Sequence, residues 1–311
     1  MTKHFHSYEE QLAKLKSRNL VVHDEHFALT FLEKNNYYRF TGYLHMFRDK
    51  NPKTGDLLDS YVQNTDFNDI VELYNFDANL RSACLNVLAG LEVYFTSVIA
   101  HEIGKLNPYA YLDLSILNPN ATAKDKNHHD AWITRYEKII HNSRNEICVI
   151  HHMENYNGKL PVWAMVEIID WGSLSVLYSL CSLDIQKNIC SHLDSALTPK
   201  LLKSWLQTLN IFRNYCAHNS RLWNRKLTIR PARPNANIFR EFANLEIADV
   251  PNDKIFLTLS IIQYLCSKIS PAHLNLIPLA VNSLPTSNGI SSKNMGFPLS
   301  HWREHPLWKI N

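Results

Sequence analysis

The chain has 311 residues, 45% of them hydrophobic and 20% charged, a composition that excludes a disordered chain and can bury one large core or two modest ones. Lys and Arg exceed Asp and Glu by three, so the net charge gives little pull on polyanions and any basic surface has to be local. Six scattered cysteines without a Cys-x-x-Cys pair suit free thiols rather than a disulfide frame or a zinc site.

The opening MTKHFHSYEE has no apolar run after its basic residues, so no signal peptide is expected. Ser7 followed by Glu10 is a capping box that starts a short helix, SYEEQLAKLKSRN. DEHFALTFLEKN and YYRFTGYLHMFR read as two more helices. The aromatic residues of the second (Tyr37, Tyr38, Phe40, Tyr43, Phe47) are too many to leave exposed. The Pro/Gly-bearing loop KNPKTGDLLDS then marks a boundary, giving an N-terminal helical subdomain over 1–60.

From Thr65 a helical pattern runs to HEIG, as one long helix or two joined by a kink near Gly90. Its most apolar run, VLAGLEVYFTSVIA, contains Glu92 and is too short to cross a bilayer. NPNATAKDKNHHD reads as a polar loop whose NHHD lacks a second pair of metal ligands, before a helix from Ala131 to Asn155. LPVWAMVEIIDWGSLSVLYSLC follows, with Gly172 a point of kinking, and KIFLTLSIIQYLCSKIS is a packed helix. The fold class is all-α: a bundle of at least four long helices over 61–272, no sheet beyond one small hairpin, and an aromatic-anchored wrapping tail over 273–311. A soluble, cytoplasmic protein with no membrane contact, no metal and no cofactor is expected.

The stretch LTPKLLKSWLQTLNIFRNYCAH has Thr198 as an N-cap and Pro199 at the first helical position. Leu202, Trp205, Leu206, Leu209, Phe212 and Cys216 form its apolar stripe. Asn214 and His218 lie roughly 150–160° from the stripe's centre, beside Lys200, Ser204 and Gln207, with Arg213 on the flank. Arg-x(4–6)-His is a spacing used by metal-free ribonucleases, but it is cheap, with about two chance matches expected for this composition. The chain holds five: Arg18/His23, Arg39/His45, Arg135/His141, Arg144/His151 and Arg213/His218. An isolated histidine at a helix end is ordinarily solvated or capping. What separates Arg213/His218 is the segment to Arg240, with seven basic residues and no acid. Arg221, Arg225, Lys226, Arg230 and Arg233, together with Lys200 and the aromatic Trp223, suit a path for single-stranded RNA, by phosphate charge and base stacking. The bland alternative is an arginine-rich segment paired to acids elsewhere in the fold.

Four blocks, NNYYRFTGYLHMFR, LYNFDANLR, LPVWAMVEIIDWGSLSVLY and FRNYCAHNSRLWNR, together with the closing MGFP…W…PLW, resemble in order those of the Abi-like abortive-infection proteins (AbiD/AbiF type). Trp171 stands where that pattern has phenylalanine. The resemblance implies a HEPN-superfamily helical bundle whose Arg-x(4–6)-His motif is a ribonuclease site built at a homodimer interface. It implies defence against phage, control by a structured non-coding RNA, and a phage-derived trigger. By position, Arg213, Asn214 and His218 match the catalytic motif. Two rival classes remain: an RNA-binding protein without catalysis, and a protein-interaction sensor of a phage component.

Overall fold

Each of the first three helices begins at a side chain that satisfies its free amides. In the computed structural model, which describes residues 4–287, 289–299 and 301–310, Ser7 and Glu10 form the reciprocal capping box of α1 (Tyr8–Lys16). Asp24 caps α2 (Glu25–Lys34) and Asn36 caps α3 (Tyr37–Leu44). The loop expected after α3 is the turn of a short antiparallel hairpin, β1 (Arg48–Lys50) with β2 (Leu57–Tyr61), in which Arg48 faces Tyr61. It is the only sheet among the described residues.

The pattern from Thr65 is a single helix, α4 (Phe67–Gly104), of 38 residues. Gly90 does not break it; a side chain there would make only ordinary contact with Ser270, at 3.8 Å. α4 is long and apolar enough to cross a membrane, with a mean hydropathy of 1.6 over its most apolar window, so the expectation drawn from one short run understated it.

Two expectations fail in the next stretch. α5 (Leu114–Leu117) is followed by α6 (Ala123–Asn142), so the segment expected to be a polar loop is a loop only to Thr122 and helical from Ala123. Thr122 and Asp125 form its capping box, and His129 turns inward, its Nε2 2.8 Å from the Tyr111 carbonyl. The helix then stops at Asn142, and α7 (Ile147–Asn155) is separate. The next segment is also two pieces, α8 (Val162–Met165) and α9 (Trp171–Leu180), divided because Asp170 caps α9 by accepting from the Ser173 amide at 2.7 Å. α10 (Leu183–Leu193), not expected from the sequence, is capped by Ser182. α11 (Pro199–Ala217), α12 (Ile255–Ile269) and α13 (Leu276–Asn282) complete the set.

α4 is the axis on which α3, α8, α9, α10, α11, α12 and α13 pack. These helices cover part of α4, and 39% of its most apolar window is buried. One continuous cluster of buried apolar side chains runs from Leu12 to Trp308. At its N-terminal end the Phe40 ring lies 4.7 Å from that of Phe67. At the other end Phe297, Trp302 and Trp308 gather around Phe256, the Phe256–Phe297 centroids 4.6 Å apart. Tyr38 departs from the expected burial: it is 66% exposed.

Candidate active site at the end of α11

Thr198 accepts from the Leu201 amide and Pro199 opens α11, as the sequence implies. The predicted stripe is buried, with Thr208 added to it. His218 is the C-cap residue, its amide donating to the Asn214 carbonyl at 2.9 Å, and its side chain lies on the exposed surface. Asn214 is half-buried. The polar face is less open than the helical wheel suggests. Lys200 and Gln207 are exposed, but Ser204 Oγ accepts from the Ala232 amide at 2.8 Å.

Arg213 points toward α4. Its Nε lies 3.7 Å from Glu92 Oε2, both side chains partly exposed. Burial raises the Glu92 pKa, Arg213 opposes that rise, and nearby Asp170 adds to it. Burial alone would also raise Asp170. The Ser173 amide and the Arg135 guanidinium, 2.6 Å away, outweigh it, and the Asp170 pKa falls.

Beyond His218 the chain turns through Asn219, whose φ of 55° is the left-handed conformation that asparagine tolerates. The turn is fastened by a carboxylate in the core. Asp77, wholly buried, accepts from the Trp223 amide at 2.7 Å, from the Leu222 amide at 3.1 Å, and from the Tyr43 hydroxyl at 2.7 Å. Arg81, one helical turn further on, pairs with it as well. Burial still leaves the Asp77 pKa raised. Three of the blocks singled out in the sequence thus meet on one carboxylate: Tyr43 from the first, Asp77 and Arg81 from the second, Leu222 and Trp223 from the fourth. Arg39, also from the first block, donates to the Asn219 carbonyl beside the motif.

Residues 30–224 match the family model described as Abi-like protein. This chain belongs to the Abi-like family. The assignment points to abortive infection, a phage-defence response. No curated protein and no solved structure matches the chain. The matched span takes in the Asp77 junction and the Arg213–His218 motif, and ends before Lys226, Arg230 and Arg233.

In this Abi-like protein four residues assigned to an RNA path are built into the scaffold instead. Trp223 is fully buried with its ring stacked on Phe47, 6.3 Å between centroids and 12° from parallel, so it has no face to offer a base. Arg221 donates to the Gly42 carbonyl, lies over the Tyr43 ring, and has its pKa lowered by burial. Arg225 Nε donates to the Arg221 carbonyl at 2.6 Å while its guanidinium covers the Tyr215 ring at 4.0 Å. Arg233 donates to the carbonyls of Ile247 and Val250. The partners are carbonyls and rings, not the acids that the bland alternative supposed. Lys200, Lys226 and Arg230 remain exposed, and Arg233 is exposed as well although its guanidinium is engaged by those carbonyls.

Three of the four competing Arg–His spacings have their arginines engaged, while Arg144 lies exposed. Arg18 is held by Asp59 at 3.1 Å, Arg39 by the Asn219 carbonyl, and Arg135 by Asp170. Sequence reasoning gave no role to Asp77 or Glu92, and for Tyr43 it foresaw burial but not the bond to Asp77. The signal for Asp77 was present: an acid in an apolar helix with an arginine four residues later. Among the described residues no group of three His, Cys, Asp or Glu side chains is placed to hold a metal ion.

Proposed function

We propose that this Abi-like protein is a HEPN-type endoribonuclease of phage defence, acting in the cytoplasm, that cleaves RNA by metal-independent transesterification at Arg213, Asn214 and His218. The observation that carries the reading is the setting of His218. It is an exposed imidazole at the end of a helix whose opposite face is buried and whose continuation is fastened to Asp77. A proton-transfer group placed this way is accessible to RNA, on a backbone anchored to the core.

In the proposed reaction the RNA's 2′-hydroxyl loses its proton to a base as its oxygen attacks the adjacent phosphorus. The 5′-oxygen leaves with a proton from an acid, giving a 2′,3′-cyclic phosphate and a 5′-hydroxyl. His218 moves one of these protons, a contribution of about 10²–10⁴ in rate. The Arg213 guanidinium neutralises charge on the phosphorane oxygens once RNA displaces its long contact with Glu92. Asn214 orients the imidazole or a phosphate oxygen. A two-fold homodimer apposing two α11 ends supplies the second proton-transfer group. A structured non-coding RNA and a phage-derived trigger control the enzyme in this reading.

A second reading, RNA binding without cleavage, is favoured by the same Glu92 contact, since a carboxylate beside Arg213 competes with phosphate. Induction of the wild type and of His218→Ala in cells separates the two. Gels of total RNA show fragmentation with the wild type alone if the ribonuclease reading holds, and intact RNA with both if it fails.

A further inference from the structure

Of the four sequence blocks, LPVWAMVEIIDWGSLSVLY takes no part in the Asp77 junction, and its first half builds a groove. Trp163, Val166, Glu167 and Ile169 form one wall, and α4 from Glu92 to Lys105 forms the other, around a space of about 800 Å³. A space of that size suits a small ligand or one base of a larger one. At one end Glu92 lines the groove and lies 3.7 Å from Arg213 Nε. At the other end is Trp163, whose ring carbons would meet a side chain on Gly104 at 3.7 Å. Glu92 and Gly104 are twelve residues apart in α4, about 18 Å at the helical rise. The groove therefore runs from the Arg–His motif to an aromatic ring.

Two side chains of the first wall are open to a ligand. Trp163 is 56% exposed, and its indole has no ring partner and no hydrogen bond among the described residues. Gly104 seats one edge of that ring against α4. Glu167 is exposed too, and its carboxylate is the one charge in the lining without an ion-pair partner among the described residues. Glu92 faces Arg213, and Lys105 is held by Glu102 at 2.6 Å. The rest of the α4 wall is Val93, Thr96, Ser97, Ala100 and His101, with no further acid.

An open indole four residues before a free carboxylate fits a flat ligand with hydrogen-bond donors along its edge. Among the RNA bases guanine alone offers two adjacent donors, N1–H and the N2 amine, which one carboxylate accepts together. Adenine, cytosine and uracil each set an acceptor beside their donor, and that acceptor repels a carboxylate. A cationic peptide would also suit indole and carboxylate, but Lys105 opposes it, and it gives no reason for the groove to begin at Arg213.

We propose that this groove holds a guanine of the RNA strand, its ring stacked on Trp163 and its Watson–Crick edge read by Glu167, a few nucleotides from the phosphate at Arg213. The third block then selects the RNA that the fourth cuts. The choice of RNA rests on the ribonuclease reading; the choice of guanine rests on the unpaired carboxylate near the open indole.

The test measures binding and cleavage separately. Affinities are read by anisotropy in a His218→Ala background, with fluorescein-labelled oligouridine of about twelve nucleotides, plain or with one central guanosine or inosine. The guanosine strand binds about tenfold tighter than plain oligouridine, and the inosine strand, which lacks the N2 amine, falls between them. Glu167→Gln, which keeps the shape but presents one acceptor and one donor, brings the three strands within about twofold of one another. Trp163→Ala weakens the guanosine strand about tenfold, whereas Trp163→Phe, which keeps a ring, stays within about threefold of the parent. Melting curves confirm folding, and the Glu167 arm reads the groove even if Trp163→Ala is unstable.

The proposal is overturned if the parent binds the three strands alike, if Glu167→Gln keeps the guanosine preference, or if a folded Trp163→Ala binds as the parent does. It is overturned as well if light scattering shows Trp163→Ala turning a dimer into monomers with the guanosine preference intact, since the groove is then an interface between two copies. Cleavage by the unsubstituted protein separates the two readings. Cleavage that depends on His218 but ignores guanosine and Glu167 sinks the groove and keeps the ribonuclease. A guanosine preference that follows Glu167, without any cleavage, does the reverse.

Discussion

Removing the Asp77 carboxylate tests whether the motif's frame is set from the core. Asp77→Ala leaves the Arg81 guanidinium, whose side chain is 5% exposed, without its counter-charge. Breaking a buried pair from one side costs about 3–5 kcal/mol. The amides of Leu222 and Trp223 and the Tyr43 hydroxyl lose an acceptor in the same step, at about 1–3 kcal/mol for each that stays unsatisfied. These costs overlap, because relaxation around one gap serves the others, so a loss of at least about 4 kcal/mol is expected. With an unfolding entropy near 2.1 cal/mol/K per residue, about 0.65 kcal/mol/K for 311 residues, that lowers Tm by about 6 °C. Asp77→Asn keeps one acceptor of the same shape and should fall between the two. Urea titration and thermal melting read the stability, and hydrogen exchange at the amides of residues 222 and 223 reads the local frame. A drop in Tm below about 1 °C for Asp77→Ala, with those amides still protected, would refute the junction as a structural hub.

The other predictions concern packing and pH. Trp223→Ala should cost about 3–5 kcal/mol in urea titration, while Trp223→Phe, which keeps a ring on Phe47 and removes an indole N–H that has no partner, should cost less than about 1.5 kcal/mol. Trp223→Leu, which removes the aromatic ring, should leave RNA affinity unchanged in the folded protein, and a tenfold loss would restore Trp223 as a base-stacking residue. Deleting residues 1–60 removes Phe40 from Phe67 and Tyr43 from Asp77, so the remainder should melt lower or aggregate; unchanged melting would contradict that packing. Glu102, 3% exposed, accepts from Lys105 Nζ at 2.6 Å and His192 Nε2 at 2.7 Å. Burial alone would raise its pKa, but the two contacts prevail and lower it. The native state then binds this proton more weakly than the unfolded chain. Its stabilisation is complete above the unfolded carboxylate value near ~4.3 and is lost as pH falls through the lower native value. The stability gap between wild type and Glu102→Gln should therefore close in acid, and a gap independent of pH would dispose of the assignment.

The helices with caps and one-sided stripes are legible in the sequence itself. The box of Ser7 and Glu10, the cap and proline that open α11, and the apolar run of α12 all lie where local chemistry places them. Breaks are harder to place. Thr122 and Asp125 spell a capping box, yet the histidines after them mask a helix whose inward face carries His129 and Trp132. Asp170 ends one segment and begins another because its carboxylate turns back on Ser173, which an apolar pattern does not reveal. At the site, His218's outward direction follows from helical period alone. The fates of Arg221, Trp223, Arg225 and Arg233 do not, since they lie in an irregular segment without a period to assign inside and outside. A sequence shows that a guanidinium is present; whether it meets phosphate or a carbonyl depends on how the chain folds back, locally for Arg225 and Arg233 and over a long range for Arg221 and Gly42.

The most direct measurement of the central claim is the chemistry of the RNA ends. Purified wild type and the His218→Ala and Arg213→Ala variants are given single-stranded RNA after exhaustive chelation, and the product termini are identified by mass spectrometry. The account predicts 2′,3′-cyclic phosphate and 5′-hydroxyl ends from the wild type without metal, and a rate at least about 10²-fold lower from His218→Ala. Cleavage that survives His218→Ala at the full rate, or appears only when magnesium or manganese is restored, would contradict it.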